Sequence, residues 1–202
     1  MSENNQDVYE VVKAPSAVLK QNAAVIETID ADIKRQSEMM VNTMYHDAGI
    51  GLAANQVGIL NRMFVMDLPE GSWYFDGEEN GVKIIQAGYK SGEREEELVR
   101  NPLVFINPEI VWESEQESIY EEGCLSLPKQ YADVIRPSAI KVQYQTIEGE
   151  TEVAEYSGLH AHCVQHEIDH LNGVLFIDYL SSLKRNMILR RMKKYNKESK
   201  AL

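Results

Sequence analysis

The 202-residue chain has only two cysteines, Cys124 and Cys163. That is too few for a disulfide scaffold and fits a reducing compartment. No run approaches the roughly 18 apolar residues that a membrane-spanning helix needs, and Met1 to Glu10 is polar and acidic rather than basic then apolar. Neither export nor a membrane anchor is expected, and the expected location is cytoplasmic. Positive charge is scarce too: 20 Lys and Arg against 32 Asp and Glu leave a net charge of −12. Such a balance argues against a surface built broadly for DNA or anionic lipid. A Pro/Gly/Ser-rich linker and an internal repeat are both missing, so residues 1–202 read as one domain carrying excursions. Hydrophobic residues at 44% nevertheless suffice for one sizeable core and exclude wholesale disorder.

Periodicity sorts the chain into strands followed by helices. Asp30 to Asp47 reads as a helix, with Ile33, Met40, Val41 and Met44 apolar, Asp30 as its N-cap and Gly49 placed to end it. Residues 62–67, 82–87, 103–107, 139–146 and 151–156 read as strands, the last two joined through a turn at Glu148 to Glu150. A helix is expected over Gly158 to Leu171, between Ser157 as N-cap and Gly173 as C′ residue, and another from Leu180 to about Asn196. Glu70 to Arg100 holds eight acids and four bases and reads as an exposed acidic excursion. The expected class is α+β: antiparallel β-sheets packed around a central helix, with a C-terminal helix after it.

Four of the five histidines, His160, His162, His166 and His170, fall within eleven residues. His166-Glu167-Ile168-Asp169-His170 is an HExxH segment, which on a helix puts two imidazoles one turn apart, able to share a metal ion. Glu167 is rotated about 100° from His166, so it can act on a water beside the ion without being a ligand. A third ligand must come from elsewhere. The position six residues past His170 holds Phe176, which excludes the longer three-histidine protease pattern. Asp178 is too close along the chain, and Glu198 sits in a tail. Cys163 lies about 10 Å of helix rise from His170 and, like His162, reads as packing or pocket wall. Cys124 remains, in a segment that reads as a strand leaving a turn, although a lone cysteine after glycine is more often a small buried hydrophobe.

Three segments in order, Gly49-Ile50-Gly51-Leu52-Ala53-Ala54-Asn55-Gln56, Glu122-Gly123-Cys124-Leu125-Ser126 and Gln165-His166-Glu167-Ile168-Asp169-His170-Leu171-Asn172-Gly173, resemble the three motifs of peptide deformylases. The resemblance implies hydrolysis of the N-formyl group from formylmethionine at the start of nascent polypeptides, with release of formate. It implies Cys124, His166 and His170 as metal ligands, Glu167 as acid and base, and the Gln56 side chain with the Leu125 backbone amide as oxyanion donors. Ile50, Gly51, His162 and Cys163 fall at substrate-binding positions, and Glu122 would orient a ligand histidine with Arg136 as its charge partner. Asp169 reads as a structural ion-pair partner. The ligand set accepts zinc, iron(II), cobalt or nickel. Resemblance favours one Fe2+ ion in the cell, with Zn2+, Ni2+ or Co2+ in a purified sample.

Three features depart from the family. Where deformylases carry an arginine after the second motif, this chain runs Pro128-Lys129-Gln130-Tyr131, so Tyr131 stands in its place. His162 replaces an aliphatic wall and is expected to bring polarity into the methionine pocket. The excursion at 70–100 is longer than usual. Finally, residues 180–202 form a basic helix and tail: Lys184 to Lys200 holds eight Lys or Arg and one Glu. In bacterial deformylases such a helix docks on ribosomal RNA near the exit of the polypeptide tunnel, which makes the ribosome an expected partner.

Overall fold

Asp30 accepts hydrogen bonds from the backbone N–H groups of Asp32 and Ile33, both at 3.0 Å, and so starts helix α1, Ala31–His46. The computed structural model of the chain describes residues 7–69, 71–88 and 100–199. Glu70, residues 89–99 and residues 200–202, parts of the expected excursion and tail, lie outside the described residues.

Strands β1 (Gly51–Ala53), β2 (Met63–Met66), β5 (Leu103–Glu113), β8 (Ala139–Gln145) and β9 (Thr151–Ser157) form an antiparallel sheet in the order β1-β2-β5-β8-β9. Strands β3 (Trp73–Glu79), β4 (Val82–Ala87), β6 (Glu117–Gly123) and β7 (Tyr131–Pro137) form a second sheet in the order β3-β4-β6-β7. One pairing breaks the antiparallel expectation: β4 runs parallel to β6, through Lys83 opposite Ser118 and Ile84 opposite Ile119.

Helix α2, Gly158–Leu171, packs against strands of both sheets, and only His160 and Asp169 among its residues escape burial. An HExxH helix that would be costly to bury if it were merely charged is thus the centre of the molecule. Ser157 occupies the N-cap position without a side-chain bond, and Gly173 follows Asn172 at the other end. Helix α3, Ser182–Ser199, buries Ile188 and Met192 in a cluster with Leu19, Leu127, Val134 and Phe176. Each such side chain contributes roughly 1.5–3 kcal/mol. Asn196 Nδ2 donates to the Ala14 carbonyl at 3.0 Å, tying the helix to the N-terminal segment. Among the described residues no helix is long and apolar enough to cross a membrane.

Several elements differ from expectation. β5 runs on to Glu113 through an irregularity between Ile106 and Glu109, where Asn107 takes φ +51°. In the acidic excursion the strand expected over 82–87 is β4, and it pairs with an unexpected β3 in a hairpin whose apolar residues Trp73, Phe75 and Ile85 gather with Leu68, Tyr120 and Leu159. β7 alternates buried Ala132, Val134 and Arg136 with exposed Tyr131, Asp133 and Ile135, and a charge in the buried phase hides that strand from pattern reading.

Candidate active site

Helix periodicity places Leu159, His162, Cys163, His166 and Glu167 on one face of α2, and that face forms a wall of a cavity of about 730 Å³. Opposite it run Ile50 and Gly51 from the start of β1, Gln56 from the turn after β1, and Tyr120 to Leu125 from β6 and its end. Of the sequence-derived site residues, Ile50, Gly51, Gln56, Glu122, Cys124, Leu125, His162, Cys163, His166 and Glu167 all line this space. His170 and Arg136 do not line it: His170 sits one turn further along α2 and Arg136 lies behind Glu122.

Cys124 comes one residue after β6, so the strand leads into its turn rather than out of one. Its Sγ lies 3.2 Å from His170 Nε2, and ligand atoms of Cys124, His166 and His170 all fall within 4.8 Å of one another. The His166 and His170 rings stand 4.9 Å apart at 75°. The arrangement fits a divalent metal ion on two grounds. First, a thiol sulfur and two imidazole nitrogens converge within 4.8 Å of one another, a donor set suited to a first-row transition metal. Second, His166 Nδ1 donates to Glu122 Oε2 at 2.8 Å, which leaves its other ring nitrogen for an ion.

Glu122 is braced from three sides. Arg136 donates to it from Nε at 2.6 Å and Nη2 at 3.1 Å, and Arg136 Nη1 donates to Asp169 Oδ2 at 2.8 Å. Tyr179 adds a hydroxyl to Asp169 at 2.9 Å. Burial works against the Glu122 carboxylate, but hydrogen bonds from His162 and His166 and the charge of Arg136 outweigh it and hold it well below the usual range. Burial likewise opposes charge on His166, where bonds to Cys124 and Glu122 prevail and raise it well above the ordinary value. In His170, burial and the neighbouring His166 act together and lower it.

Glu167 has a different environment. It is 4% exposed and its Oε2 has no hydrogen-bond partner among the described residues. Burial pushes its carboxyl up to about 7, against the attraction of His166. Gly51 makes room for it: a Cβ there would stand 2.5 Å from Glu167 Oε1 and 2.9 Å from Cys163 Sγ.

Gln56 is held by its oxygen. The Ala53 N–H donates to Oε1 at 2.8 Å, which turns Nε2 toward Cys124 Sγ and Ser126 Oγ, each at 3.4 Å. The contact to the Ser126 hydroxyl is long, so the amide donor can reach for a better acceptor. Lys13, which nothing in the sequence marked, donates to the Leu125 carbonyl at 3.0 Å across 112 residues and also lines the cavity.

His162 lines the cavity from the α2 side. It is 1% exposed, with Nε2 3.0 Å from Ser118 Oγ and Nδ1 3.5 Å from Glu122 Oε1. Nε2 is engaged by Ser118, the buried Nδ1 has no hydrogen-bond partner among the described residues, and burial lowers the ring's pKa. Tyr131 is 63% exposed, and its ring covers Gly123 at the mouth. Tyr120 and Ser118 were missed from sequence. The signal was there, because both share the face of β6 that carries Glu122.

The polypeptide deformylase family model matches residues 8–186. A peptide deformylase of Rhizobium meliloti is 49% identical over 180 residues, 89% of each chain, and one of Agrobacterium fabrum is 44% identical over 187 residues, 93% of this chain and 94% of that one. Among solved structures, peptide deformylase from Ehrlichia chaffeensis superposes with a TM-score of 0.79 at 34% identity, covering 95% of this chain and 98% of the other. The same protein in complex with actinonin gives a TM-score of 0.78 at 35% identity, covering 94% and 98%.

Proposed function

Because this chain belongs to the peptide deformylase family, and hydrolyses the N-formyl group from the formylmethionine of nascent polypeptides with the help of a divalent metal ion, we propose how its own residues divide the work. Cys124, His166 and His170 hold the ion. When bound, it supplies Lewis acidity toward the formyl carbonyl and acidifies water. Glu167, buried beside the ligand set with one oxygen unpartnered, takes the proton of the attacking water and delivers it to the amine nitrogen as the C–N bond breaks. Formate and a free α-amine result.

The charge that develops on the formyl oxygen meets two neutral donors, Gln56 Nε2 and the Leu125 N–H. Fixing Gln56 through its oxygen pre-aims the amide, and one such donor is worth about 3–4 kcal/mol in the barrier. Glu122 orients His166, Arg136 anchors Glu122, and Asp169 with Tyr179 completes the brace. The substrate backbone lies along Ile50 and Gly51, since β1 is the edge strand of its sheet and faces the cavity. Actinonin, found in complex with the Ehrlichia chaffeensis relative, is expected to occupy the same space.

The ion in the cell is Fe2+, with Zn2+, Ni2+ or Co2+ held after purification. The reaction takes place in the cytoplasm, where nascent chains emerge, and residues 1–202 act as one domain. The exposed cations Arg190, Arg191, Lys193 and Lys194 on α3 suit contact with ribosomal RNA. Replacing these four with Gln should abolish salt-sensitive cosedimentation with ribosomes, and unchanged cosedimentation would remove the ribosome from this account.

The observation that carries the reading is the meeting of Cys124 with His166 and His170 beside the buried Glu167. Formate release from formyl-Met-Ala-Ser, abolished by a chelator and restored by Fe2+, tests it. Cleavage of the unformylated tripeptide with no formate from the blocked one would point to a peptidase instead.

A further inference from the structure

The cavity is closed where Leu159, His162 and Cys163 are buried and open where His46, Ala48, Lys129 and Tyr131 are exposed. Two lysines line it. Lys129 is exposed, whereas Lys13 is half-buried and turns its ammonium onto the chain itself, donating from Nζ to the Leu125 carbonyl at 3.0 Å.

That carbonyl lies at the centre of a turn. The Leu127 N–H donates to the Cys124 carbonyl at 2.9 Å, so Cys124-Leu125-Ser126-Leu127 is a hydrogen-bonded β-turn. The bond fixes the two ends of the turn and leaves its central peptide, between Leu125 and Ser126, to be held by something else. Lys13 holds that carbonyl, and the Ala14 N–H takes the next one, of Ser126, at 2.9 Å. One residue earlier, the Val12 N–H donates to the Gln56 carbonyl at 2.7 Å. Three consecutive residues thus reach the backbone around both oxyanion donors, and Lys13 does so through its side chain. A hydrogen bond from an ionised donor is about twice as strong as a neutral one. Rotation of the central peptide turns the Leu125 backbone, and with it the N–H on the other side of the same Cα.

Resting on the assignment of the Leu125 N–H to the oxyanion, we propose that Lys13 is a positioning residue for the reaction: its ammonium locks the central peptide of the turn and so aims the Leu125 N–H at the formyl oxygen. It acts through Leu125 and touches no reacting atom. Because the oxyanion forms only on the way to the transition state, loss of aim lowers kcat and leaves KM alone.

Lys13→Met keeps the aliphatic stem and the backbone bonds of Val12 and Ala14. With formyl-Met-Ala-Ser and metal-loaded enzyme, its kcat falls about tenfold to hundredfold, while KM and metal content stay within about twofold of wild type. Lys13→Gln, whose amide ends one bond short of the carbonyl, loses a similar amount. Lys13→Arg returns a cationic donor and keeps kcat within about threefold. An unchanged kcat in both Lys13→Met and Lys13→Gln overturns the proposal. So does a rise in KM at constant kcat, which would make Lys13 a substrate contact, and so does a fall that Lys13→Arg shares. Gln56→Leu, measured beside them, separates the two levels. If it alone lowers kcat, the positioning role fails and the oxyanion reading stands; if kcat is unchanged in every variant, both fail.

Discussion

On the metal-facing side of the cavity, every polar side chain behind the ligands has a second partner: Glu122 has Arg136, Arg136 has Asp169, and Asp169 has Tyr179. The closed end has one well-formed polar contact, His162 with Ser118, and otherwise relies on the packing of Tyr120 and Leu159 against the β3–β4 hairpin. The same face of α2 serves both, so the difference comes from what the second sheet presents to it. Charged hydrogen bonds are directional and fix an atom to tenths of an ångström. Apolar packing fixes a surface and tolerates exchange of one hydrophobe for another. Changes on the polar side should therefore strike the chemical step or the metal, and changes at the closed end should strike only which substrate binds and how well.

The largest effect belongs to Glu167. Glu167→Gln keeps the shape and removes the proton acceptor, and kcat should fall about 10²- to 10⁴-fold with metal content unchanged. A kcat within threefold of wild type would mean that another group carries the proton.

The same residue sharpens the comparison through pH. In the metal-free protein the Glu167 carboxyl sits at about 7, above the ordinary 4.5, because it is buried. The folded state thus binds this proton more tightly than the unfolded chain does. Its contribution to stability is complete below the unfolded value and is lost as pH rises through about 7. Between pH 4 and pH 8, metal-free wild type should lose about 3 kcal/mol more than metal-free Glu167→Gln. Urea titrations of the two proteins check this, and parallel pH curves would contradict the buried, unpaired state of the carboxyl.

Glu122→Gln comes next. It preserves packing but weakens both the bond to His166 and the pairing with Arg136, and metal affinity should fall about 10- to 100-fold, read by chelator competition. An unchanged affinity would show that His166 needs no brace.

How much of this was legible in the sequence follows the same division. The HExxH pair and Glu167 could be placed because helix geometry alone relates them. Cys124 and Gln56 needed the family resemblance, since contacts that cross 46 and 68 residues leave no local pattern. The central and C-terminal helices and the β8–β9 hairpin were readable from periodicity and turns. β1 was too short to alternate, β6 too acidic, and β7 carried Arg136 on its buried face. Ser118, the partner of His162, lies on a strand the pattern did not mark, so only the fold shows that Nε2 is engaged. Of the β3–β4 hairpin, the strand at 82–87 was readable, whereas β3 was not, because Asp76, Glu78 and Glu79 break its apolar pattern.

The smallest effect, and the one that bears most directly on the comparison, concerns Trp73 on that hairpin. Its indole lies over Gly158, a residue at φ +59° where any Cβ would run into the ring, and its Nε1 donates to His160 Nδ1 at 3.0 Å. The hairpin therefore backs the cavity through Leu159 and Tyr120, the apolar surface of the closed end. Trp73→Leu retains part of that contact, so its stability cost should stay below the about 3–5 kcal/mol of a truncation to alanine. With the backing loosened, KM for formyl-Met-Ala-Ser should rise about threefold to tenfold, while kcat and metal content stay at wild-type values because no ligand or proton carrier touches the hairpin. A parallel fall in kcat and metal content would show that the packed end and the hydrogen-bonded end move as one unit, and that α2 transmits disorder from its first turn to His166.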